Sequence, residues 1–153
     1  MSTAAPSPAA GSEGFWDDRY RSASSIWSGN PNPHLVADAT GLVPGVALDV
    51  GAGEGADAIW LAERGWRVTA VDISGVALQR ADAEAQRHGA DVAGRIEWIR
   101  ADLTTWSPPA ERYDLVSIQF MHLPSAQRTP LFQRSIAAVS PGGTLLIVGH
   151  DES

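Results

Sequence analysis

The stretch ALDVGAGEGADAIWLAERGW, residues 47–66, joins a short apolar run to a helix-like pattern through three glycines at alternate positions. Gly51, Gly53 and Gly55 let the backbone turn tightly and approach a ligand closely, which a side chain at these positions would obstruct. A glycine-rich turn between a strand and a helix typically holds a nucleotide. The alternative is a tight turn that binds no ligand. The residues around the loop distinguish these two possibilities.

The composition removes several classes of protein. With 153 residues and 44% hydrophobic content, the chain is long enough for one globular domain. Its net charge of -7 disfavours nucleic acid and anionic membranes as partners. The sequence contains neither cysteine nor lysine, which excludes disulfides, thiolate nucleophiles, Schiff bases and a phosphate-binding lysine. No apolar run approaches the ~20 residues of a membrane span, and the first residues do not resemble a secretion signal, so we expect a cytoplasmic protein.

The chain divides into three parts. Residues 1–14 are small and nearly uncharged, which is typical of a disordered tail. Residues 15–41 form an expected lid followed by a short helix with Asn32 as N-cap, Pro33 in its first turn and Gly41 after its end. Residues 42–153 form the main domain. The lid carries the aromatic side chains Trp16, Tyr20 and Trp27, which cover a substrate or simply pack on the core.

The main domain alternates strand-like and helix-like runs. Helices are predicted from about Glu54 to Glu63, from Ser74 to near Gly89, and after Thr129 and Pro130, and SPGG at 140–143 predicts a type II turn. This pattern indicates an α/β fold, a doubly wound Rossmann-like sheet that is mostly parallel, with helices on both faces and five strands in the order 3-2-1-4-5. The predicted strands are 46–51, 66–73, 95–102, 113–120 and 144–150.

Carboxylates follow the second and third strands at the edge of the sheet where ligands of this fold bind. Asp72 lies 21 positions after Gly51, where nucleotide-binding proteins place a carboxylate on the ribose hydroxyls. Its alternative role is a helix N-terminal charge next to the Ser74 cap. Asp102 is the candidate for the adenine amino group, with a local turn cap as its alternative.

Charge separates two nucleotide cofactors that share an adenosine. A dinucleotide places its pyrophosphate at the helix N-terminus, but here Glu54 starts the helix and Asp49 precedes the loop, and both carboxylates would repel a phosphate. S-adenosylmethionine has no phosphate and carries an ammonium and a sulfonium group. The acidic loop therefore favours the methyl donor, while a nicotinamide-dependent oxidoreductase remains the less favoured alternative.

The motifs LDVGAGEG, AVDIS, IRADL and YDLVSIQF, followed by SPGGTLLIVGH, resemble in order those of the class I S-adenosylmethionine-dependent methyltransferases. The segment FWDDRY…WSGNPN is similar to the lid of their small-molecule branch, which includes thiopurine and tellurite-resistance methyltransferases. The resemblance implies in-line methyl transfer to a small molecule, with S-adenosylhomocysteine as product. The glycine loop would line the methionine moiety, and Gln119 would approach it from the fourth strand. The expected cofactor-binding residues are Asp49, Gly51, Ala52, Gly53, Asp72, Ile73, Asp102, Leu103 and Gln119.

Two expectations concern catalysis and assembly. His122 is the candidate general base, although a hydrogen bond to the backbone of its own turn is the alternative. The four histidines show no metal-ligand spacing, so no metal is expected.

The sequence stops at GHDES, where members of the resembled family usually continue with further strands. We therefore expect an exposed edge at strand five that supports a homodimer, and a protein that binds the cofactor without turnover is the alternative function.

Overall fold

The structure is a computed structural model that describes residues 30–53, 55–103, 105–119 and 125–148. The tail, the aromatic side chains of the expected lid, Glu54 and His122 all lie outside these residues. The described helices are α1 (Pro33–Ala39), α2 (Ala56–Glu63), α3 (Gly75–His88), α4 (Ala90–Gly94) and α5 (Ser125–Ala138). The described strands are β1 (Val46–Val50), β2 (Arg67–Asp72), β3 (Ile96–Arg100), β4 (Tyr113–Gln119) and β5 (Val139–Val148).

The five described strands form one sheet in the order β3-β2-β1-β4-β5, and every neighbouring pair is parallel. The predicted fold class and strand order are confirmed. Parallel neighbours require crossover connections, and the alternation of apolar strands with helical patterns supplies them. The carboxyl ends of β1, β2, β3 and β4 consequently meet at one edge, which is where the sequence placed its candidate residues.

The core has two layers, one on each face of the sheet. One cluster packs α1, α2 and Trp66 against the face that carries Ala47, Val68 and Leu115. The other packs Leu131 of α5 against the face that carries Leu48, Val50 and Val116. Successive residues of β1 thus point to opposite layers, as the period of two in a strand requires. Asp49 belongs by this alternation to the α2 face.

The short helix α1 begins as its sequence predicts. The Asn32 side chain accepts a hydrogen bond from the backbone N–H of His34 at 2.8 Å, and Pro33 occupies the first helical position, where its missing N–H costs nothing. The helix ends at Ala39, two residues before Gly41. The backbone N–H of Asn32 in turn donates to Asp57 Oδ1 at 2.7 Å, which fixes the start of α1 to the first turn of α2.

Two helices differ from the prediction. Helix α5 begins at Ser125 and contains Pro130, whereas the sequence suggested a start at Thr129 and Pro130. Pro130 is the sixth helical residue, so its ring removes one backbone hydrogen bond without ending the helix. The sequence did not predict the short α4. Gly89, with φ 129°, ends α3, and the five residues of α4 are too few to show a helical pattern.

Strand β5 also begins earlier than predicted, at Val139. Between two paired positions, β4 advances from Tyr113 to Leu115 while β5 advances from Val139 to Thr144. The additional residues contain the SPGG sequence, and Gly142 has φ 80°, the value that the third position of a type II turn requires. The turn is therefore accommodated as an irregularity within the strand and does not precede it.

Candidate functional site

The glycine loop connects β1 to α2 in a conformation that depends on its glycines. Gly51, Gly53 and Gly55 have φ values of 80°, 56° and 88°, all in the left-handed region that other residues adopt at a cost. The N–H groups of Gly51 and Ala52 donate to the carbonyl oxygen of Val71 at 2.8 and 3.0 Å. The loop therefore folds back over the end of β2 and leaves its outer side as bare backbone.

Gly55 serves a second purpose, because it allows close packing beneath the loop. A Cβ atom at this position would lie 2.8 Å from the Cβ of Ala81 in α3 and 2.8 Å from the ring of Trp98 in β3. Gly55 is also the N-cap residue of α2. The third glycine thus sets the distance between α2, α3 and the sheet.

Asp72 ends β2 and holds the glycine loop from below. One carboxylate oxygen accepts the N–H of Gly53 at 2.8 Å, and the other accepts the N–H of Ser74 at 2.9 Å. Ser74 caps α3, since its hydroxyl accepts the N–H of Ala77 at 3.1 Å. The structure therefore gives Asp72 the structural part suggested as its alternative, and this part orients the carboxylate at the sheet edge where a ribose would lie.

Asp49 is the most unusual group at the site. It is fully buried, and neither of its carboxylate oxygens accepts a hydrogen bond from any described residue. Burial raises the pKa of Asp49 well above its ordinary value, and the nearby carboxylates of Asp57 and Asp72 raise it further. A buried carboxylate without a donor is unfavourable, so this position favours either a proton or an adjacent cation.

Two polar residues around Asp49 were missed by the sequence analysis. Asp57 lies in the first turn of α2 and is 5% exposed. Ser117 is opposite Asp49 in the register of β1 with β4, and its buried hydroxyl has no hydrogen-bond partner among the described residues. Only Ser117 left a signal in the sequence, as the hydroxyl within the apolar run YDLVSI.

The third strand brings its candidates to the same edge. The N–H of Ala101 donates to the carbonyl oxygen of Asp72 at 3.0 Å, so the chain after β3 leaves beside the end of β2. The carbonyl oxygen of Asp102 accepts the N–H groups of Thr105 and Trp106, which makes Asp102 the first residue of a turn. Its side chain is exposed at the edge, and the carbonyl oxygen of Leu103 accepts Arg134 Nη2 at 2.7 Å.

Seen together, most of the predicted residues meet at one edge of the sheet. Asp49 and Asp72 lie below the glycine loop, Ile73 is half-buried directly after Asp72, and Asp102 and Leu103 follow β3. Gln119 is the last residue of β4. Their individual ligand contacts remain predictions. Among the described residues, no group of three or more histidine or acidic side chains is placed to hold a metal ion, and no described helix is long and apolar enough to cross a bilayer.

Comparison with known proteins identifies the family. A family model described as a methyltransferase domain matches residues 47–143, well over half of the chain. The chain belongs to this methyltransferase family. The predicted membership of the class I S-adenosylmethionine-dependent methyltransferases is confirmed, and with it the cofactor expected for the family.

The relatives of this methyltransferase domain are named for different substrates. It is 34% identical over 114 residues to a ribosomal RNA small subunit methyltransferase C of Alcanivorax borkumensis, covering 71% of this chain and 33% of the relative. It is 32% identical over 142 residues to a probable thiol methyltransferase of Arabidopsis thaliana, covering 88% and 61%. A glycopeptide N-methyltransferase solved with S-adenosyl-L-methionine aligns with a TM-score of 0.65 and 27% identity, covering 74% of this chain and 51% of that one. The chain thus spans between a third and three fifths of these proteins.

Proposed function

We propose that this chain binds S-adenosylmethionine at the carboxyl edge of β1, β2 and β3 and transfers its methyl group to a small molecule. One observation carries the proposal. The glycine loop stands above the buried carboxylates of Asp49, Asp57 and Asp72, and Asp49 accepts no hydrogen bond from the described residues. Three carboxylates under a nucleotide-type loop suit a cationic ligand and repel a pyrophosphate. This agrees with the family and disfavours a nicotinamide cofactor.

The residues of the chain supply position and charge in this proposal. When bound, the cofactor supplies an activated methyl group, which an acceptor atom attacks while the carbon–sulfur bond breaks and its electron pair moves to sulfur. Asp72 orients the ribose, Asp102 meets the adenine, and the carboxylates around Asp49 offset the positive charge. His122 is proposed to take the proton that a neutral acceptor loses. Holding the two reactants in line accounts for most of the expected acceleration.

The proposed acceptor class is a small molecule, and its support is the overall charge. A net charge of -7 repels the phosphates of an RNA strand, so an RNA substrate would need a separate basic surface. The probable thiol methyltransferase among the relatives supports a small-molecule acceptor, whereas the ribosomal RNA methyltransferase favours an RNA acceptor. Binding of the cofactor without turnover is the second candidate function.

Binding and transfer can be tested separately. Calorimetry with S-adenosylhomocysteine should give binding to the wild-type chain, and Asp72→Ala should weaken it by about tenfold or more, because a hydrogen-bonded carboxylate at the ribose is lost. Asp82→Ala removes an exposed carboxylate from α3 and is the matched control. Equal affinity in wild type and Asp72→Ala would contradict the ribose role.

Transfer requires a labelled methyl group and two acceptor pools. We expect label from S-adenosylmethionine to appear in a panel of small thiols, amines and hydroxylated aromatics and not in ribosomal RNA. Label in the RNA alone would refute the small-molecule proposal. Binding without label in either pool would favour the second candidate.

A further inference from the structure

A cavity lies at the opposite edge of the sheet from the glycine loop. It has a volume of about 350 Å³ and opens where β1, β2 and β3 begin. Its charged lining consists of Arg67, Arg95 and Arg112 together with Glu97. The cavity is at the small end of the range for ligand sites, roughly 300–1,000 Å³. Nothing in the proposed methyl transfer uses it.

The backbone of each arginine is fixed by the fold. The N–H of Arg67 donates to Gly45 O at 2.9 Å, the carbonyl of Arg95 accepts the N–H of Val68 at 2.9 Å, and the N–H of Arg112 donates to Ala138 O at 3.0 Å. Arg67 opens β2 and Arg95 precedes its neighbour β3, whereas Arg112 precedes β4, which β1 separates from β2. Neighbouring strands are spaced about 4.8 Å apart in a sheet. All three arginines line the same opening.

The charges in this cavity are only partly balanced. Arg95 is half-buried, and its Nη1 donates to Ala62 O at 3.0 Å, which orients the guanidinium without neutralising it. The side chains of Arg67 and Arg112 are exposed and form no ion pair or hydrogen bond with any described residue. Glu97 offsets one positive charge, so a net charge of about +2 remains in a chain whose total is -7.

We propose that Arg67, Arg95 and Arg112 form a binding site for a compact anion of at least two negative charges, a small phosphate ester or diphosphate. The planar guanidinium group matches phosphate oxygens with paired donors. A compact anion fits the volume and avoids the repulsion that the acidic surface imposes on a long polyanion. The six residues of β2 separate this site from the glycine loop by about 20 Å, so its ligand is not the methyl acceptor.

The test uses the full chain and inorganic pyrophosphate at constant ionic strength. We expect millimolar pyrophosphate to raise the melting temperature of the wild type, since a ligand of the folded state stabilises it by mass action. The double variant Arg67→Gln, Arg112→Gln should lose about tenfold or more in affinity. Both side chains are exposed, so the variant should fold, which its melting curve without ligand verifies.

The control is Arg87→Gln, which removes one positive charge from an exposed side chain of α3 outside the cavity. It should respond to pyrophosphate as the wild type does. No thermal shift in the wild type, or an equal loss of affinity in Arg87→Gln, would overturn the proposal. If a single-stranded oligonucleotide binds more tightly than pyrophosphate and the double variant loses this binding, the ligand is a nucleic acid and the proposal is wrong. Calorimetry with S-adenosylhomocysteine tests the proposed function separately, because the glycine loop lies at the opposite edge of the sheet.

Discussion

At the scale of single residues, Asp49 is the position where charge and burial conflict most. Its folded pKa lies above that of the unfolded chain, chiefly because it is buried, so between these two values the folded state holds the additional proton. Its stabilising effect is complete below the unfolded pKa and is lost as the pH rises through the folded pKa. The free energy of unfolding should therefore fall with rising pH across this interval.

The variant Asp49→Asn tests this linkage. An amide does not titrate, so denaturant unfolding measured over a pH series should lose this part of the pH dependence and show higher stability than the wild type at the alkaline end. The variant should also bind S-adenosylmethionine more weakly, by about 1–3 kcal/mol for the loss of one nearby charge. Identical pH profiles in wild type and variant would contradict the burial of an ionisable Asp49.

Gly55 gives a second prediction at this scale. Gly55→Ala places a Cβ against Ala81 and Trp98 and strains a residue at φ 88°, so we expect a loss of about 2–4 kcal/mol in the free energy of unfolding. Gly41→Ala is the control, because a Cβ there has no neighbour within 4 Å. Chemical denaturation measures both. A Gly55→Ala variant as stable as Gly41→Ala would refute the packing role.

Elements can be predicted where their sequence signals are local. Asn32 and Pro33 define the start of α1, and the period of apolar residues defines the strands, so these features follow from neighbouring residues. The start of α5 does not, because Pro130 normally marks a first turn but is the sixth residue of this helix. The surroundings of Asp49 were equally hidden, since Ser117 reaches it from a strand that is distant in sequence, and the position of Asp57 depends on how the glycine loop turns.

Helix α5 provides the prediction at the element scale. Pro130→Ala restores one backbone donor in the second turn and removes a ring clash, so it should raise the free energy of unfolding by about 1–3 kcal/mol. Pro141→Ala, in the turn within β5, should not stabilise, because proline suits the second position of that turn. Thermal unfolding compares the two variants. A destabilised Pro130→Ala would show that the proline is required by its packing.

For the whole molecule, β5 is one of the two edge strands of the described sheet, and β3 is the other. Ile147 is 44% exposed on it, and an unpaired strand edge favours association with a second copy. We propose a homodimer through this strand. Sedimentation should give a dimer for the wild type, while Ile147→Lys should give a monomer because edge charges oppose strand pairing. A monomeric wild type at high concentration would refute the dimer.

We propose that the acidic glycine loop selects S-adenosylmethionine over a dinucleotide. Its most direct test is calorimetry of the same protein with S-adenosylmethionine, S-adenosylhomocysteine and NAD. We expect binding of the first two and no binding of NAD. S-adenosylmethionine should bind more tightly than the uncharged S-adenosylhomocysteine, and this difference in affinity should be smaller in Asp49→Asn. Binding of NAD with no response to either methionine derivative would contradict this selectivity.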